Sequence, residues 1–467
     1  MKKTITKMSI YCSLFLMAAG AATAQTADTT TEFKPSGNLW GYTFGDLSYK
    51  GSTDNLNRGG SNQYTGMPAN ANTFQFRRIY LGYNYNISPK FSAEFLMAAE
   101  DDFSTNVQTP GTGNSITQAL AGTTQGDVLA NGKFAPYVKF ANLRWKNIFK
   151  NSDLVIGQQA TASYAKTGRN DQTAEEVWGY RSIERTISDI RRTPSFDMGA
   201  SLQGWFDKKG NFGYMAMVSN GNQSKPATNS FKWIQADIYA KFLNKRLIID
   251  LYQDYEKLAW GVYVPGTKQS VPGLNGPEYA DRNMTKLFAA WNTNKLTVGT
   301  EVFQNTILSG IKVTGNDGQT YYRTQHTMAM SFYVRGRILS APNGDPRLNY
   351  FARFDNYDPS GNLSTIASDA NTKSFVSNTV SQYDASTKEQ FVTFGFDYMP
   401  FKNVHIMPNV WMNTYNSSLP ATGQSDASKP VAYSSMNPGV TGVKGTDAVY
   451  RLTFYYIYNP KQGTTKY

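Results

Sequence analysis

The chain of 467 residues contains one cysteine and two histidines. Cys12 lies in an apolar stretch at the N-terminus that is expected to be removed, so the mature chain is expected to use neither disulfides nor thiol chemistry. His326 and His405 fall on different segments, which leaves no Cys/His metal set and no base marked beside a nucleophilic serine. No catalytic residue, metal or cofactor is therefore expected. A second long apolar run is also missing, and mean hydropathy is −0.47, which excludes a bundle of helices each needing roughly 20 apolar residues to span. Lys and Arg number 46 against 34 acids, but the basic residues are dispersed and form no nucleic-acid module. With 30 Tyr and 27 Phe, the chain is too aromatic to be disordered.

What is present begins with a leader. Lys2 and Lys3 precede the apolar stretch Met8–Ala19, and Ala22-Thr23-Ala24 forms an A-x-A cleavage site before Gln25. The organisation expected is a signal peptide at 1–24, a short periplasmic segment at 25–37 and one barrel domain at 38–467. Losing Lys2, Lys3 and Lys7 lowers the formal charge from +12 to about +9.

The body alternates apolar and polar residues with the period of a strand, in segments of about ten residues. Clear cases are Ile79-Leu81-Tyr83-Tyr85-Ile87, Ile234-Ala236-Ile238-Ala240-Phe242, Val392-Phe394-Phe396-Tyr398 and Tyr450-Leu452-Phe454-Tyr456-Tyr458. Sixteen strands are predicted near 38–50, 72–87, 90–101, 135–147, 153–161, 195–207, 211–220 and 231–243, then 245–260, 283–293, 295–305, 322–338, 348–358, 388–399, 402–415 and 447–458. Tight turns, such as Ser88-Pro89, Asn244 and Asn294, alternate with long Gly/Asn/Ser/Thr-rich connections at 51–71, 102–134, 162–194, 221–230, 261–282, 306–321, 359–387 and 416–446. That layout predicts an all-β transmembrane antiparallel barrel of about sixteen strands in a bacterial outer membrane, its tight turns periplasmic and its long loops external. A soluble sandwich gives no reason for loop length to alternate. Trp40, Tyr42, Tyr83, Tyr85, Trp145, Tyr456 and Tyr458 are expected in aromatic girdles at the headgroup level. Pro408 conflicts with the ladder of its strand and predicts a bulge or an early strand end there.

Several segments resemble the phosphate-selective porin O/P family. Phe76-Arg77-Arg78-Ile79-Tyr80-Leu81-Gly82 resembles its early strand, and Leu154–Gln158 the strand entering its third loop. Ser182–Arg185 and Phe196–Ala200 resemble the end of that loop and the strand beyond. Phe351–Asp355 and Thr393–Pro400 resemble two later strands. The resemblance implies a sixteen-stranded homotrimeric porin with a constricting third loop and basic side chains holding anions in the pore.

If the apolar phase faces lipid, the other phase faces the lumen. It carries Arg78, Arg144, Lys146, Lys241, Arg335, Arg337, Arg353 and Arg451, against Glu94, Glu100, Asp237, Asp250, Asp254, Glu301, Asp355 and Asp397. The expected pore lining therefore includes Arg78, Arg335, Arg337, Arg353, Asp355 and Arg451, with no dominant sign. In the third loop, Glu175–Arg192 has helical potential and concentrates Arg181, Arg185, Arg191 and Arg192 beside Glu175, Glu176, Glu184 and Asp189. Folded inward, those arginines are expected to form the constriction and favour anions mildly. A surface lid is the bland alternative. The functional expectation is passive diffusion of small polar solutes, with anions and phosphate as candidate solutes and membrane lipid as the surrounding partner. The competing expectation is a barrel with a blocked lumen that serves as an adhesin or structural surface protein.

Overall fold

A computed structural model of the chain describes residues 33–53, 69–100, 136–163, 185–191, 194–227, 231–259, 279–315, 317–318, 320–358, 372–377, 388–415 and 445–459. The first strands are β1 (Ser36–Ser52), β2 (Asn72–Asn86), β3 (Phe91–Glu100), β4 (Tyr137–Phe149) and β5 (Ser152–Ala160). A short helix, α1 (Ile187–Arg191), precedes β6 (Phe196–Trp205), β7 (Phe212–Ser219), β8 (Trp233–Phe242) and β9 (Leu247–Ala259). Then come β10 (Tyr279–Asn292), β11 (Leu296–Gly315), β12 (Thr320–Ser340), β13 (Pro346–Asp358) and β14 (Thr372–Ser377). The last are β15 (Glu389–Phe401), β16 (Val404–Tyr415) and β17 (Thr446–Ile457).

Sixteen of these strands form a closed antiparallel barrel. Each pairs with its neighbours in sequence, β13 pairs directly with β15, and β17 returns to β1 from Tyr42↔Ile457 to Ser52↔Ala448. Closure matters because a spanning sheet has no water to satisfy an open edge. All sixteen predicted strands are present. On the outer face stand exposed apolar side chains such as Phe74, Leu81, Ile156, Ile238, Phe332, Phe394, Phe396 and Leu452, in phase with the sequence alternation. The folded protein is accordingly expected to resist SDS at room temperature and to change apparent mass on boiling. Recovery in a detergent-free soluble fraction would contradict the barrel.

Three details differ from expectation. First, 306–321 is mostly not a loop: β11 and β12 continue as a ladder to Thr314↔Thr320. β14, inside the expected loop 359–387, pairs with that extension from Ile311↔Ser377 to Gly315↔Thr372. Loop length thus does not alternate without exception. Second, Trp40 and Tyr42 are not girdle residues. They are 6% and 8% exposed and point inward, where Tyr42 packs on Tyr80 at 4.7 Å between ring centroids. β1 alternates aromatics with glycines, and outward Gly41 and Gly45 lie beneath the rings of Tyr458 and Phe454. The aromatic phase of this strand is therefore the inner one. Tyr83, Tyr85, Trp145, Tyr456 and Tyr458 are exposed outside as expected. Third, Pro408 causes neither a bulge at its own position nor an early end. β16 keeps its register with β17 through Pro408↔Leu452, whereas its paired positions with β15 lapse between Gly395↔Asn409 and Tyr398↔Ile406. The missing N–H is absorbed on one side of the strand.

The rim carrying the tight turns relies on left-handed residues. Asn147, Asn151 and Asn403 have φ of 52°, 59° and 67°, and Leu243, Asn244 and Lys245 form a run at 52°, 56° and 64°. Asparagine tolerates this region at low cost, which suits it to these corners.

Candidate pore constriction

The connection between β5 and β6 lies, at its described ends, against the inner wall of the barrel. At its entrance, the Ala162 backbone N–H donates to Gln235 Oε1 of β8 at 3.1 Å. Lys286 of β10 reaches the same segment, donating to the Ser163 hydroxyl at 3.0 Å and to the Ser163 carbonyl. At its exit, the Ser188 N–H donates to Glu301 Oε1 of β11 at 2.8 Å. Arg353 of β13 donates from Nη1 to the Arg185 carbonyl at 2.5 Å. The two ends of the loop are tied together where Thr161 donates its hydroxyl to the Pro194 carbonyl at 2.9 Å and its N–H to the Ser195 carbonyl at 3.1 Å.

Apolar packing reinforces these ties. Ile187 and Ala162 are buried with Met215, Met217, Tyr252, Met284, Phe303, Ala329 and Tyr357, which all project from the inner wall. Removing this surface from water favours the inward position of the segment. The exit of the third loop, 185–191, is thus fastened to the inner face of β11 and β13.

Charges around this segment come in pairs. Arg185 Nε bonds Asp189 Oδ2 at 2.8 Å, one helical turn away. Partial burial works against the charged guanidinium, which stays about one-third exposed, but the adjacent Asp189 carboxylate outweighs it and raises the Arg185 pKa above its ordinary value. Arg353 forks onto Asp355 through Nε–Oδ1 at 2.8 Å and Nη2–Oδ2 at 2.6 Å. Arg78 and Glu100 also act on the Arg185 charge, the first opposing it and the second favouring it. Glu100 accepts from Lys139 at 2.8 Å and from Tyr137 at 2.9 Å, takes the Tyr80 hydroxyl, and sits 3.6 Å from Arg78 Nε.

The expected lining residues all occur on the inner phase, but they are not one ladder. Arg78, Arg353 and Asp355 gather near the loop segment. Arg335 donates to Thr297 at 3.3 Å, nearer the turn rim, and Arg337 reaches the β12–β13 turn at the Gly344 carbonyl, 3.1 Å away. Arg451 stacks on Trp411 at 3.9 Å and binds Asn409 at 2.8 Å. Of the four arginines expected at the constriction, Arg185 is placed as described. Arg191 contributes its backbone to the end of α1, while Arg181 and Arg192 lie outside the described residues. Of the helix expected over Glu175–Arg192, Ile187–Arg191 is helical, while 175–184 and 192 lie outside the described residues.

Other inward charges were not expected. Arg77 is fully buried beside Arg78 because β2 carries a bulge opposite Phe44 and Gly45, which turns both arginines inward. Its Nη1 pairs with Asp46 Oδ2 at 3.2 Å, and Arg451 Nη1 approaches the same oxygen at 3.7 Å. Lys50 pairs with Asp447 at 2.8 Å across the β1–β17 seam. Lys286, Arg282 and Glu256 face inward on β9 and β10. Among the described residues, no group of three or more His, Cys, Asp or Glu is arranged to hold a metal ion.

The outer membrane channel DcaP of Acinetobacter baumannii superposes on this barrel with a TM-score of 0.54 at 11% identity, covering 93% of this chain and all of that one. The chain has the fold of an outer-membrane channel. Lower similarities include an anion-selective porin from Comamonas acidovorans, at TM-score 0.49, 12% identity and coverages of 91% and 100%. OmpF of Salmonella typhi in complex with daunomycin gives TM-score 0.48, 11% identity and coverages of 90% and 97%. The sequence matches no protein-family model and no curated protein.

Proposed function

We propose that this protein is an outer-membrane porin: a water-filled channel for passive diffusion of small polar solutes, with a mild preference for anions, phosphate among them. The observation that carries this reading is a closed sixteen-stranded barrel whose third-loop segment is fastened to the inner wall by Glu301 and Arg353. Loops that only cap a barrel have no need of such ties. The outer-membrane channel fold of DcaP supports the same reading.

The reading includes a signal peptide at 1–24, a periplasmic segment at 25–37, a homotrimeric assembly in membrane lipid and no enzymatic activity. It also takes the chain as a distant member of the phosphate-selective porin O/P family, in line with the segments quoted above. The paired charges explain why the preference is modest. Arg78, Lys139, Arg185 and Arg353 outnumber Glu100, Asp189 and Asp355 near the loop, but each carboxylate has a basic partner. A constriction acts at short range, where solvent screens least.

Under a salt gradient across a planar bilayer, the reversal potential is expected to take the anion-selective sign. Replacing Arg181, Arg185, Arg191 and Arg192 by alanine should move it toward cation selectivity while the barrel stays folded. A wild-type channel that is cation-selective, or a quadruple variant that behaves like wild type, overturns the anion preference and the role of these arginines.

A further inference from the structure

The turn rim carries a basic cavity apart from the candidate constriction; one of its lining residues, Lys241, is on the inward phase of β8, its ammonium 5.4 Å from the centroid of the Tyr239 ring. Between the β6–β7 turn and the β8–β9 turn lies a space of about 630 Å³, lined by Lys209, Asn211, Lys241, Phe242, Leu243 and Lys245. The two turns are held together where the Lys241 N–H donates to the Asn211 carbonyl at 2.7 Å. Lys209 and Lys245 are exposed, and neither has an ion-pair partner among the described residues. The carboxylate in this neighbourhood is Asp207. It is engaged by backbone N–H groups of Asn211 at 2.7 Å, Phe212 at 3.0 Å and Lys209 at 3.2 Å. Its charge is thus directed into its own turn.

The rim beside this cavity is unusually apolar for a turn. Leu243 is 66% exposed and Phe206 70% exposed, and Phe212 and Phe242 meet edge-to-face at 6.1 Å on the outer surface. Lysines that line one space beside exposed aromatic and aliphatic side chains, at the edge of a membrane barrel, match a ligand with a charged phosphate and an apolar body. The run of left-handed residues from Leu243 to Lys245 shapes the backbone on one side of the cavity.

We infer that this cavity binds a phosphate-bearing anion, with Lys209, Lys241 and Lys245 around the phosphate and Phe212 and Phe242 beside it on the outer surface. Phosphate of a membrane lipid headgroup and free phosphate share this chemistry, and the experiment separates them. The inference goes beyond channel function and does not depend on it.

Folded full-length protein in non-ionic detergent is titrated calorimetrically with dihexanoyl phosphatidylglycerol, dihexanoyl phosphatidylcholine and inorganic phosphate. Phosphatidylglycerol is expected to bind saturably and more tightly than phosphatidylcholine, and K209Q/K241Q/K245Q should weaken it about tenfold or more. F212A/F242A should weaken the lipid alone, which assigns the source as a headgroup. Inorganic phosphate binding as tightly as the lipid, lost in the lysine variant and indifferent to F212A/F242A, assigns the source as free phosphate. If the triple variant does not fold, as judged by its heat-dependent gel mobility, K209Q alone serves, since Lys209 is an exposed turn residue. The inference is overturned if no probe saturates on wild type. It also fails if the lysine variant binds like wild type, if the two lipids bind equally, or if K90Q/K295Q/K402Q, in other turns of the same rim, weakens binding as much.

Discussion

Asp46→Ala is expected to destabilise the barrel by about 3–5 kcal/mol, the range for removing one partner from a buried charge network. Asp46 is fully buried, faces Arg77 at 3.2 Å and Arg451 at 3.7 Å, and accepts from the Thr453 hydroxyl. Arg77 is itself fully buried between the rings of Trp411 at 4.9 Å and Phe44 at 5.6 Å, so it has no route to water once its partner is gone. The cluster also joins β1, β2, β16 and β17, the strands that meet where the ring closes. Its loss therefore weakens the seam as well as one ion pair. Urea unfolding in detergent micelles measures the change. The double variant D46L/R77M should recover part of it, because it removes an unpaired charge along with its partner. A midpoint for D46A within error of wild type would show that the buried network is dispensable.

Glu301→Ala combined with Arg353→Ala is expected to raise single-channel conductance, on the order of twofold, by releasing the segment proposed to narrow the bore. Glu301 holds the Ser188 N–H and Arg353 holds the Arg185 carbonyl, so the double variant loses both of these ties to the inner wall. Ile187 remains seated among Met215, Met284 and Phe303, so the release should be partial and the channel noisier than wild type. Unchanged conductance in a folded double variant would mean that apolar packing alone sets the bore.

The strands were legible because one physical constraint acts on nearly all of them. A lipid-facing side and a water-facing side force a period of two, and that period survives in β8, β15 and β17 almost without interruption. It fails where both faces carry similar residues. β1 reads as aromatic and glycine in turn, and only the rings of Tyr458 and Phe454 covering Gly41 and Gly45 reveal which face is outside. On β10, Met284 and Phe288 face inward while Leu287 and Trp291 face outward, so Lys286 gave no clear phase. The bulge at Arg77 and Arg78 depends on pairing with β1, which no local pattern encodes. The same holds for the extended β11–β12 hairpin, with its Gly, Asn, Ser and Thr residues, and for the short β14; both look like loop until their pairing partners are known. At the candidate constriction the arginine cluster was visible in the sequence, and so was the abundance of acids beside it. The tethers from Gln235, Lys286, Glu301 and Arg353 were not, because each acts across more than 70 residues of chain.

The central claim is that the third loop lies in the conducting path of an open channel, and a single engineered thiol tests it. Cys12 is the sequence's only cysteine and falls in the segment expected to be cleaved, so Arg185→Cys introduces a unique reporter. The Arg185 side chain is about one-third exposed, enough for a small reagent to reach that position. Wild-type protein in a planar bilayer should open in discrete steps that an anionic methanethiosulfonate leaves unchanged. R185C channels should lose a clear fraction of their current when the reagent reacts. An SDS-resistant wild-type barrel that inserts and passes no current would contradict the account, as would R185C channels that are fully modified and conduct as before.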